Sequence, residues 1–491
     1  MKNRTGFPAF AIVFALVLVI IAILALGSCT GLTGGRNNPA NPGITAVNHV
    51  VILLQENRSF DSYFGKLNDY RAANGISGTV DGLGANGFTN ISPVTGAPVS
   101  SYHSGSVCME NMSPDWAESH ADMNIANPAD FSAFKMDGFV NTAAGIAAFD
   151  QFLDLEGRRA MGFYTERELN YYYFMASNFA VGDRFYSPVP ANTTNNRLYM
   201  FAATSQGTVH TPNGAEYRDP ACVNSGAPGQ LTAKTIWQLL TENNISWKIY
   251  ISDLSPECSG GGPTPACLTH STYLQFFTWI NNNATAQANI VPVSQYFGDV
   301  ANGTLPSVAF IETGSFSGRD EHPSGKDLTK NPPVQIVIDI QSGAAYASSL
   351  INALMNSPSW KDSVFFFAFD EAGGAFDHVP PMAVPNPDGI RPILCLPKDV
   401  AVGGDFTITG FRVPNMVISP FTKKNFVSHT PMDYTAMLKF IEARWNLPSL
   451  TRRDAAMPDM TEFFDFTGKP WAAPPAPPAQ VTGGACNFAL E

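Results

Sequence analysis

Residues 50–54, Val-Val-Ile-Leu-Leu, form an unbroken aliphatic run with His49 before it and Gln55, Glu56 and Asn57 after it. A run that short and uniform predicts a strand buried on both faces, the kind found inside parallel sheets. Three later stretches repeat the theme. Residues 245–252 alternate like a strand, residues 305–311 run into Glu312, and residues 364–369 deliver Asp370 and Glu371. Between them the spacing becomes helical. A capping box at Thr165 and Glu168 opens a helix that ends near Asn178, and residues 231–242 and 339–356 have the same periodicity, the latter stopped by Pro358. Thr430, Pro431 and Asp433 mark the start of a last helix over 431–445, whose stripe Tyr434, Met437, Leu438, Ile441 and Trp445 belongs to the core. Strand, helix and strand in repeated order predict a mostly parallel sheet covered on both faces.

Composition narrows the class. Of 491 residues, 45% are apolar and 14% charged, which suits a large core and excludes a disordered chain. The net charge of -12 excludes a nucleic-acid partner, since phosphate backbones demand clustered Lys and Arg. At the N-terminus Lys2 and Arg4 precede an apolar run over 7–26 and then Gly27-Ser28-Cys29, the layout of an export signal over residues 1–29. Cys29 stands where a lipobox places its lipidated residue, with an uncleaved anchor as the other reading of the same run. A Gly-, Asn- and Pro-rich tether over 30–44 leads to a catalytic domain over 45–469 and a Pro/Ala-rich tail over 470–491. The remaining cysteines, Cys108, Cys222, Cys258, Cys267, Cys395 and Cys486, are even in number and fit disulfides in an exported protein. Cys258 and Cys267 flank a short Gly-rich loop and are the expected pair. The tail is expected to be pinned by Cys486.

The apolar runs also place chemistry. Glu56 and Asn57 follow one strand and Asp370 and Glu371 another, and ligand crevices lie at the carboxyl ends of such strands. Adjacent strands would bring these oxygens together, and their mutual repulsion calls for one divalent cation. Carboxylates with a carboxamide suit Ca, Mg, Mn or Zn alike.

Glu56-Asn57-Arg58-Ser59-Phe60-Asp61 followed by Tyr63-Phe64-Gly65 resembles the opening signature of the bacterial phosphoesterase family of phospholipase C and acid phosphatase type. Further blocks extend the likeness over residues 45–466: Trp116 with His120, then Met136-Asp137-Gly138-Phe139-Val140, Asp320-Glu321-His322-Pro323, and Asp377-His378-Val379-Pro380-Pro381. The resemblance implies a three-layer α/β/α sandwich similar to alkaline phosphatase, and an exported, membrane-associated hydrolase of phosphate esters, with phospholipids among the candidate substrates. It implies metal contact by Glu56, Asn57, Thr193, Asp370 and Glu371. Counting back from Asn196-Arg197 puts the nucleophile on Thr193. The family's Gly and Pro neighbours are replaced here by Ala191, Asn192 and Asn195, which keeps Thr194 as a rival. A threonine nucleophile implies a covalent phospho-threonine intermediate. His120, His322 and His378 are the residues for neutralising charge and protonating the leaving oxygen, in no fixed order, and Asn196 and Arg197 for holding the phosphate. Phospholipase C activity, broad phosphomonoesterase activity and an inactive surface lipoprotein of the same fold are the three readings carried forward.

Overall fold

The strand-like runs take up their expected places in a computed structural model that describes residues 43–218, 222, 230–258 and 262–489. The apolar run over 7–26, Cys29 and nearly all of the tether lie outside the described residues. Eight strands form one sheet: β1 (His49–Gln55), β2 (Ala180–Gly182), β3 (Trp247–Ile251), β4 (Ile290–Pro292), β5 (Val308–Glu312), β6 (Ser363–Phe369), β7 (Asn415–Ile418) and β8 (Phe426–Ser428). Their spatial order is β8-β2-β7-β6-β1-β5-β3-β4. Only β7 runs against its neighbours. The sheet is therefore mostly parallel, and both faces of β1, β5 and β6 are buried beneath helices, as uniform apolar runs require.

Helix boundaries follow tertiary contacts. The crossover helix Ile340–Met355 matches the periodicity, with Asp339 Oδ1 accepting from the Ser342 amide at 2.8 Å as its cap. Its Ile340, Ala344, Ala347, Ile351 and Leu354 are all buried, one stripe at helical spacing. The helix expected over 231–242 is shorter, Ile236–Glu242, because Leu231 pairs with Phe277 as an isolated β-bridge and Thr235 takes the cap. The last helix begins at Thr435 rather than Pro431, since Met432–Asp433 pairs with Phe185–Tyr186. Asp433 accepts from the Thr435 amide and hydroxyl, and Trp445 at the far end is half-buried. The Thr165/Glu168 pair closes a turn ahead of the helix Asn170–Asn178, with Glu168 accepting from the Thr165 amide at 3.0 Å.

Three disulfides staple the loops: Cys108–Cys486, Cys222–Cys395 and the expected Cys258–Cys267. The first ties residues 378 apart and fixes the tail, which also packs Trp471 on Phe179 with ring centres 5.0 Å apart. A Cys108→Ser/Cys486→Ser double variant is expected to lose about 2–5 kcal/mol, read as a lower melting temperature. An unchanged melting temperature would show that the tail contributes nothing.

Candidate active site

The parallel register of β1 with β6 matches Gln55 to Phe369, so Glu56-Asn57 and Asp370-Glu371 leave the sheet side by side. Two contacts lock them together. Asp370 Oδ1 accepts from the Asn57 amide at 3.1 Å, and the Arg58 amide donates to the Glu371 carbonyl at 2.9 Å. Asn57 makes this turn with φ of 61°, a left-handed conformation that Asn tolerates better than most residues. Gly373, also left-handed, is packed so closely on Asn57 that a Cβ there would lie 2.6 Å from its side chain. From the next strand, β5, comes Glu312, and the loop beyond it returns Asp320, whose carbonyl accepts from the Glu56 amide at 2.9 Å.

One cation serves this acidic group. The guanidinium of Arg197, fully buried, lies 3.3 Å from Glu56, 3.5 Å from Glu312 and 3.2 Å from Asp370, donates to the Leu54 carbonyl and stacks over Tyr273. A single guanidinium cannot neutralise five carboxylates. Burial first, then Asp320 and Asp370, pushes the Glu56 carboxyl up to about 8, and burial pushes Asp320 up to about 7. Burial and the neighbouring Asp370 raise Glu371 as well. Its Oε1 is buried with no hydrogen-bond partner, while Oε2 accepts from the Gly373 amide. An uncompensated acidic pocket with an unpartnered carboxylate oxygen is the donor set a hard divalent cation fits.

Thr193 is brought to Asn57, while Thr194 lines a cavity with Glu56 and Glu312 and has a hydroxyl partner of its own. Thr193 opens the helix Thr193–Ala202, where the backbone N–H groups point outward and favour negative charge. Its Oγ1 lies 3.5 Å from Asn57 Oδ1. Thr194 Oγ1 instead meets Thr211 Oγ1 at 3.0 Å. Asn196 and Arg197 are spent on architecture rather than left open to a ligand. Asn196 Oδ1 accepts from the Val189 amide and its Nδ2 donates to the Ala191 carbonyl, fixing the loop that presents Thr193.

The three histidines separate. His322 is half-buried beside Asp320, whose Oδ1 accepts from its amide, and its Nδ1 lies 2.7 Å from the Pro323 carbonyl. His378 lies in another cluster: its Nδ1 is 2.6 Å from Asp61 Oδ2, and its ring stacks on Phe88. Asp61, Asp377 and His378 also form a group of possible metal ligands with atoms within 4.8 Å of one another. Arg412 already occupies it, 3.0 Å from Asp61 and 2.9 Å from Asp377, so its charge is balanced within the protein. His120 is buried against Trp116 and Phe131, its Nδ1 on the Trp116 carbonyl, and burial lowers it to about 4. Its contacts include no member of the acidic group. Asp320 and Glu312 are site residues that the sequence held but did not assign. Glu312 ends a buried strand as Glu56 and Asp370 do, and that position was the signal.

Acid-rich strand ends facing a hydroxyl at a helix N-terminus define a class, the hydrolases of phosphate esters. The chain belongs to the phosphoesterase family, whose model matches residues 47–448. Among relatives, phospholipase C B of Mycobacterium tuberculosis is 29% identical over 470 residues, 89% of this chain and 80% of that protein. Non-hemolytic phospholipase C of Burkholderia pseudomallei is 26% identical, covering 88% of this chain and 61% of that one, and non-specific phospholipase C1 of Arabidopsis thaliana is 26% identical, covering 86% and 71%. A solved protein in the alkaline phosphatase superfamily from Vibrio parahaemolyticus aligns with a TM-score of 0.31 and 11% identity over 80% of this chain and 78% of that one. That score is too low to carry an argument, and the α/β assignment rests on the sheet itself.

Proposed function

We propose that the protein is a phospholipase C-like phosphoesterase that works through a covalent phospho-threonine on Thr193. The observation that carries this is Thr193 Oγ1 at the N-terminus of a helix, aimed at Asn57 where β1 and β6 end together. A divalent cation held by Glu56, Asn57, Thr193, Asp370 and Glu371 would supply positive charge beside the phosphate and favour an ionised hydroxyl. Thr193 Oγ1 bonds to phosphorus as the bond to the departing alcohol breaks, and that alcohol takes a proton from His322. Water then attacks the phospho-threonine and gives a proton back to His322, releasing the phosphate product as the bond to Thr193 Oγ1 breaks and leaves that oxygen ionised again. The helix N-terminus favours the anionic intermediate. Three disulfides favour an oxidising compartment, in keeping with export and lipidation at Cys29.

The reading is tested by offering the protein phosphatidylcholine and p-nitrophenyl phosphate with a divalent cation. Release of diacylglycerol supports it. Turnover of the monoester alone would make the protein a phosphomonoesterase, and turnover of neither would leave an inactive lipoprotein.

The raised acids set a pH dependence. Folded-state values of about 8 for Glu56 and about 7 for Asp320 lie above the ordinary carboxylate values. Their contribution to stability is thus fully present below about pH 4 and is lost as pH rises to about 8. Chelator-treated protein is expected to melt progressively lower across that window, and added Mn²⁺ or Ca²⁺ to recover more at the alkaline end. Equal recovery at both ends would argue against a cation among these carboxylates.

A further inference from the structure

The sheet sets β5 beside β1 and β3 beside β5, with Glu312 in register with Ile251, so the crevice at Glu56 runs on past the carboxyl ends of two more strands. There lies a cavity of about 340 Å³. Glu56, Glu312 and Thr194 are buried members of its lining, and His270 and Phe316 are exposed ones. It shares Glu56 with the acidic group, and Thr194 with the helix that Thr193 opens. The chemistry at Thr193 leaves this space unassigned.

Charge and rings limit what fits. Three carboxylates line the cavity, Glu56, Glu312 and Asp253, and among the described residues no Lys or Arg does. Glu56 and Glu312 share Arg197, and Glu312 also accepts from the Thr272 hydroxyl at 2.6 Å and the Tyr273 amide at 3.3 Å. Asp253, two residues beyond β3 and half-buried, forms no ion pair among the described residues; its Oδ2 accepts from the Ser317 amide at 2.7 Å. That bond pins the turn Ser315–Ser317, on which Phe316 is held 61% exposed at the cavity. Tyr273 and Phe276 line it as well, their ring centres 6.5 Å apart. A carboxylate without a cation, among aromatic rings, suits a positive group with an apolar skin, which gains from both. An anion would meet three carboxylates, and a purely apolar group would desolvate Asp253 with nothing in return.

We propose that this cavity is a subsite for an alkylammonium group, the cationic end of an amino-alcohol ester of phosphate, with Asp253 as its counter-charge and Phe316 as a ring at its rim. That the ammonium arrives on a phosphate ester rests on the function proposed above; the preference for a cation does not. The test titrates the full chain by calorimetry with choline and with 3,3-dimethylbutan-1-ol, which has the same shape without the charge and, like choline, no phosphorus to cleave. Choline is expected to bind at least about tenfold tighter. Asp253→Asn, which keeps an oxygen for the Ser317 amide, is expected to remove that difference, and Phe316→Ala to weaken choline more than the neutral alcohol. Equal binding of the two alcohols, binding of neither, a preference unchanged in both variants, or tighter binding of myo-inositol than of choline would overturn the proposal. A cleavage-resistant phosphonate analogue of dihexanoyl phosphatidylcholine, compared with phosphocholine, tells the sources apart: tighter binding of the analogue supports a lipid as the bearer of the ammonium, and equal binding a soluble ester. The readout needs no turnover, so a protein that prefers choline but cleaves no ester loses only the proposed function, and one that cleaves esters without the preference loses only the subsite.

Discussion

Thr193→Ala is expected to lower turnover by at least about a thousandfold with little change in melting temperature, because it removes an attacking oxygen rather than a packing group. Thr194→Ala is expected to stay within about tenfold of the parent, since its hydroxyl is engaged by Thr211 rather than by Asn57. Thr193→Ser, which restores a hydroxyl, should recover part of the loss. The check is steady-state hydrolysis of whichever ester the protein turns over, with a burst of released alcohol in the parent as the mark of a covalent intermediate. Loss in the Thr194 variant alone would move the nucleophile by one residue and overturn the geometry argued from Asn57.

The second large effect is expected at Arg197, and it is one of stability. Arg197→Met keeps the length of the side chain but leaves Glu56, Glu312 and Asp370 buried without their shared cation. Breaking a buried ion pair from one side typically destabilises by about 3–5 kcal/mol. The sign of its pH dependence follows from the raised carboxyls. As pH falls through about 8 and then about 7, Glu56 and then Asp320 take up protons, earlier in the variant than in the parent because Arg197 no longer lowers them, and the uncompensated charge shrinks, so the deficit against the parent narrows. Urea denaturation of both proteins on either side of neutrality measures it. A variant as stable as the parent at alkaline pH would mean that the acidic group is balanced by something other than this guanidinium.

Strands with both faces buried announce themselves, because nothing polar is tolerated on either side, and residues 50–54 and 364–369 were legible for that reason. The oxygen-bearing side chains after them were legible as neighbours because strand ends in such sheets face a crevice. Helix starts were less so. Pro431 and Thr430 are good capping residues, yet Met432–Asp433 is drawn into pairing with Phe185–Tyr186, a contact made across 247 positions of chain and invisible to any local rule. The histidines illustrate the same limit. His120 and His378 carry no local sign of their neighbours, and only the fold shows that one packs against Trp116 and the other against Asp61. Arg197 reads equally well as a phosphate clamp or as an ion-pair partner until the strand ends are placed around it.

The bond between Cys108 and Cys486 bears on the order in which the protein can be finished. Cys108 begins the segment whose residues Met112 to Asp115 wall a groove beside the Glu371 loop, and its partner is synthesised 378 positions later. Synthesis proceeds from the other end, so the sheet and the threonine can assemble while this wall is still unfastened. A chain cut short ahead of Cys486 would carry every proposed ligand and a loosened approach to them, and its defect would lie in how large a substrate it accepts rather than in the chemistry at phosphorus.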